Sequence, residues 1–142
     1  MRVVVPLTVI LAAAAATPAA AEVVQLRAEL TASAEVPPNA SPARGSAEVS
    51  LDTATRQLTW RVSFADLTAP MTAMHFHGPA APTANAGVVI PIPASPAQAT
   101  IVNGSATISE QQMADIIAGR YYINVHTPNN PGGEIRGQVV RR

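Results

Sequence analysis

Residues 57–64 read Gln57-Leu58-Thr59-Trp60-Arg61-Val62-Ser63-Phe64, with a large apolar side chain at every second position and a polar one between. A period of two is that of a β-strand with one face buried and one in water. Working outward, Ala47, Val49 and Leu51 alternate in the same way, and only the short polar stretch Asp52 to Arg56 separates the two runs. That spacing predicts an antiparallel hairpin. Upstream, Val24, Leu26, Ala28 and Leu30 alternate with Gln25, Arg27 and Glu29 and give a third strand.

Downstream, strand character returns over about 72–77, 87–92 and 99–102. Asn103-Gly104 then admits two readings: a type I′ turn joining two strands, or one long strand with a bulge at Gly104. One helix interrupts the pattern. Ser109 and Gln112 have capping-box spacing, Glu110 favours the helix dipole, Met113, Ile116 and Ile117 form an apolar stripe, and Gly119 suits the helix end. Strand character resumes over 120–126 and 133–140, around a turn-rich loop at 128–133. The expected fold is all-β, a Greek-key sandwich or barrel of about eight strands with one short helix over about 109–118.

The first residues stand apart from this pattern. Arg2 precedes an uncharged stretch, Val3 to Ala21, that closes on Ala19, Ala20 and Ala21, as a secretory signal peptide does. Residues 1–21 are therefore expected to be a leader, 22–142 a single β-domain, and the location secreted or periplasmic, with no membrane association after cleavage. The chain has 9 basic residues, all Arg, and 9 acidic ones, so nucleic acid is a poor partner. It has no Cys, hence no disulfide and no thiolate metal site. No nucleophile elbow, phosphate loop or helical metalloprotease motif occurs, and the carboxylates are scattered, so no catalytic residue is nominated.

What remains is histidine. His75 and His77 share one face of a strand, while Met74 and Phe76 take the other. Neutral imidazole is a common ligand for copper and zinc, and Met71, of the same parity, could add a soft thioether. His126 shares a face with Tyr122 and Asn124 and could supply a third imidazole. In the plainer reading the histidines brace loops, His75 and His77 near Gly78 and Pro79, and His126 at the turn after it. Glu134 and Arg136 share a face of the last strand, which suggests an exposed ion pair or an Arg136 that guides an anion.

The segments Leu30 to Pro38 (LTASAEVPP), Met74 to Ala80 (MHFHGPA) and Gly119 to Gln138 (GRYYINVHTPNNPGGEIRGQ) resemble the CHRD, or chordin-type, domain. The resemblance spans nearly the whole chain beyond the leader and implies an extracellular or periplasmic β-rich domain. More loosely, His-x-His, a later His and a late Arg are similar to copper/zinc superoxide dismutase. That similarity implies copper ligands at His75, His77 and His126 and an anion guide at Arg136. Three histidines cannot fill both metal sites of that enzyme, and its Cys pair is missing. The expected function is an exported binding module with a mononuclear copper site at His75, His77 and His126. The alternatives are a metal-free domain that binds a protein or glycan, and a copper-dependent oxidoreductase.

Overall fold

The computed structural model describes residues 20–93 and 96–142. The leader expected over residues 1–21 falls almost entirely outside them. Nine strands form one antiparallel sheet: β1 (Val23–Thr31), β2 (Arg44–Asp52), β3 (Gln57–Ala65), β4 (Ala73–His77), β5 (Val88–Ile92), β6 (Ile101–Thr107), β7 (Tyr122–His126), β8 (Ile135–Gln138) and β9 (Val140–Arg141). Their order is β5-β4-β7-β8-β1-β2-β3-β6, with the two-residue β9 beside β1. The first eight make a nearly closed barrel. β1, β2 and β3 are a meander, and β8 lies on the other side of β1.

The alternation in the sequence is the cause of this closure. Leu58, Trp60, Val62 and Phe64 of β3 all point into the core, as do Val24, Leu26, Ala28 and Leu30 of β1. The hairpin expected between β2 and β3 pairs in unbroken register from Asp52↔Gln57 to Arg44↔Ala65. Met74 and Phe76 of β4 are fully buried, and Phe76 meets Trp60 edge to face at 5.2 Å between ring centroids.

Asn103-Gly104 makes neither a turn nor a bulge. β6 runs straight through both residues, in continuous register with β3 from Gln57↔Thr107 to Ser63↔Ile101. Glycine is needed here because Gly104 pairs with Trp60, and a Cβ would lie 2.6 Å from the indole Cζ2. Gly104→Ala is expected to cost about 1–3 kcal/mol through overpacking, read as a lower urea midpoint; an unchanged midpoint would show that the indole can move aside.

The helix α1 (Glu110–Ile117) carries the expected cap: Ser109 Oγ accepts from the Gln112 N–H, and Gln112 Oε1 accepts from the Ser109 N–H. Ile116 is buried, with Met113 and Ile117 packed against the same core. Gly119 follows in the left-handed region at φ +73° and turns the chain toward β7. No helix among the described residues is long and apolar enough to cross a membrane.

Candidate metal centre

Antiparallel pairing of β4 with β7 sets Ala73 opposite His126, His75 opposite Asn124 and His77 opposite Tyr122. Because His75 and His77 project from the same face as Asn124 and His126, the third imidazole meets the first two on the outside of the barrel. One ring nitrogen from each histidine lies within 4.8 Å of the others. The rings converge at steep angles, His75 being inclined 83° to His77 and 63° to His126. His77 is buried, and the other two are partly exposed.

Hydrogen bonds decide which nitrogens are available. A carbonyl oxygen can only accept, so His77 donates from Nδ1 to Ala86 O (2.9 Å) and His126 donates from Nδ1 to Pro131 O (3.0 Å). In the neutral rings this makes Nε2 of both the acceptor nitrogen. His126 Nε2 lies 3.1 Å from His75 Nδ1, which donates to it, whereas His77 Nε2 is buried with no partner. Burial, then the mutual influence of the neighbouring imidazoles, holds the His75 pKa below its ordinary value. For His126 burial again lowers it, the Pro131 carbonyl opposes this, and His77 lowers it further. Anchored through Nδ1, His77 and His126 keep Nε2 as the nitrogen that a late first-row metal would take, and such a metal would displace the hydrogen bond between His75 Nδ1 and His126 Nε2.

The other residues singled out in the sequence have different roles. Met71 lies before β4 begins and is buried in the hydrophobic core. Glu134 and Arg136 do not pair and are not exposed: both are buried, and neither joins an ion pair formed among the described residues. Arg136 reaches under the segment that follows β4, donating to Ala84 O (2.7 Å), Asn85 Oδ1 (3.0 Å) and Ala81 O (3.4 Å). Its guanidinium lies 3.5 Å from the centroid of the Tyr122 ring, and that ring stacks parallel on His77 at 4.9 Å. Gln138 donates to Ala80 O and Gly119 O, and the Tyr122 hydroxyl bonds the backbone of Ala86. Residues 80–86 are thus strapped across the face that bears the histidines, which rules out the open anion path expected at Arg136.

Glu134 instead collects hydrogen bonds from the Ser41 hydroxyl, the Thr68 N–H and hydroxyl, and the Thr127 hydroxyl. Burial alone would raise its pKa, but these donors outweigh burial and hold the pKa low. Thr127 follows His126 directly, so this hub fixes the end of β7.

Glu35 was not legible as a site residue. It follows the 3-10 turn Ala32–Ala34, and burial pushes its carboxyl up to about 7, with Arg136 opposing. Its Oε1 is buried without a partner. It lies over Gly133, where a Cβ would collide with Glu35 Oε1 on one side and approach Asn124 Nδ2 to 2.7 Å on the other. The Glu-Val-Pro-Pro stretch marked this segment in the sequence but gave no reason to bring it to the histidines. Of the five buried side-chain atoms without a partner among the described residues, four are on Glu35, His77, Asn124 and Gln138, all around this face.

The CHRD domain family matches residues 26–139, which include the three histidines, Glu35, Asn124, Glu134 and Arg136. No curated protein and no solved structure matches the chain. The chain belongs to the CHRD-domain family.

Proposed function

We propose that this CHRD domain is an exported binding module that holds one copper ion between His75, His77 and His126. The observation that carries the reading is the convergence of three ring nitrogens within 4.8 Å, one of them, His77 Nε2, buried and unpartnered. Copper suits an all-imidazole donor set in a chain without Cys. Export rests on the leader-like stretch at 1–21.

The test is a copper titration of the purified protein by calorimetry with metal analysis, beside a His75, His77 and His126 triple alanine variant. One equivalent of copper is expected for the wild type and none for the variant. Absence of binding in the wild type would overturn the reading. It would favour a metal-free domain that binds a protein or glycan, a role in keeping with the loop carbonyls of Ala86 and Pro131 that His77 and His126 hold.

A further inference from the structure

Three imidazoles leave the coordination of a Cu(II) ion incomplete, and the same strand face offers another donor. Asn124 stands opposite His75 on β4 and two residues before His126 on β7. Opposed positions on one face of an antiparallel pair have Cβ atoms about 4.5–5.5 Å apart, so its amide is within side-chain reach of His75. It is 3% exposed, and its Oδ1 has no hydrogen-bond partner.

That oxygen is left free by the neighbour best able to satisfy it. Arg136 is the register partner of Asn124 on β8, yet it directs its N–H groups to Ala81, Ala84 and Asn85. Asn124 Nδ2 and Glu35 Oε1 both approach the Cβ position of Gly133, which places them within about 5 Å of each other. The nitrogen end of the amide thus lies near a carboxyl, without a hydrogen bond to its Oε1.

Resting on the copper reading above, we propose that Asn124 Oδ1 is a fourth ligand, which makes the centre three imidazole nitrogens and one amide oxygen, with Glu35 behind the amide. An oxygen donor suits the divalent ion better than Cu(I), for which the thioether of Met71 would have been the apt ligand had it not been buried in the core.

The experiment loads wild type, Asn124→Ala and Asn124→Asp with one equivalent of Cu(II) and records electron paramagnetic resonance spectra and affinities by competition with a chelator. Circular dichroism checks the fold. Asn124→Ala is expected to keep one copper and its nitrogen hyperfine pattern, to shift the copper parallel hyperfine splitting, and to bind at least about tenfold more weakly. Asn124→Asp, the isosteric variant, keeps an oxygen donor and adds charge, and is expected to bind more tightly than wild type. Wild-type spectra and affinities in both variants would overturn the assignment while leaving the three-histidine site intact. If the alanine variant does not fold, the aspartate variant decides: an unchanged spectrum and affinity overturn the proposal, and a shifted spectrum with tighter binding upholds it. A wild type that binds no copper fails at the earlier reading instead.

Discussion

Glu35→Gln is expected to make the protein more stable than wild type at pH 8, by about 2 kcal/mol once residual solvent screening is discounted, and to leave stability unchanged at pH 4. The Glu35 carboxyl has an ordinary pKa of 4.5 and one of about 7 when folded. Below 4.5 both folded and unfolded chains keep the proton, so the group has no effect on the balance. Between 4.5 and 7 the unfolded chain releases the proton while the folded chain retains it, and stability falls as pH rises. Above 7 the loss is complete. Glutamine keeps the shape and an acceptor oxygen beside Asn124 but is neutral throughout, so the slope disappears. Urea denaturation of both proteins at pH 4 and pH 8 checks this; equal stability at pH 8 would mean that the carboxyl ionises without penalty in the fold.

The same substitution at Glu134 is expected to act in the opposite direction, with a loss of about 3 kcal/mol at pH 7. Its carboxylate accepts from Ser41, Thr68 and Thr127, and an amide would place a donor against these donors. With its folded pKa lowered, Glu134 contributes stability above its ordinary value of 4.5. That contribution is lost as pH falls from there through the folded value. The deficit of Glu134→Gln relative to wild type should accordingly be full at pH 7 and shrink in acid. A deficit that stays constant from pH 7 to pH 3 would show that shape, not charge, makes Glu134 matter. The two glutamates differ in their hydrogen-bond partners: burial is opposed by four donors at Glu134 and by none within bonding distance of the orphaned Glu35 oxygen.

Much of this fold was legible because β1, β2 and β3 each carry a clean period-two pattern, and the parity of His75 and His77 followed from it directly. The meeting of His126 with that pair was not, since it depends on which strand lies beside β4, and β7 comes 45 residues after β4 ends. Periodicity fixes the face of a strand but not its neighbours. Parity also misled at Arg136 and Glu134. Glu134 precedes β8 and is held by Ser41, Thr68 and Thr127, while Arg136 is roofed by residues 80–86, and irregular chain of this kind leaves no periodic trace in a sequence. Met71 failed for a related reason: β4 starts at Ala73, so strand parity does not extend to it. At Gly104 the Asn-Gly pair carried a genuine turn signal, overridden by the need to seat Trp60.

The strap across the histidine face is fastened entirely through its main chain and one amide side chain. Gln138, Arg136, His77 and Tyr122 grip carbonyls of Ala80, Ala81, Ala84 and Ala86, and the side chains of Ala81, Pro82, Thr83 and Ala84 are turned to solvent. The outward lettering of this segment can therefore be rewritten without loosening its backbone. An engineer could graft charged or aromatic residues at 81–84 and give the domain a new recognition surface over Arg136, on the face that bears the histidines, while the scaffold beneath keeps its shape.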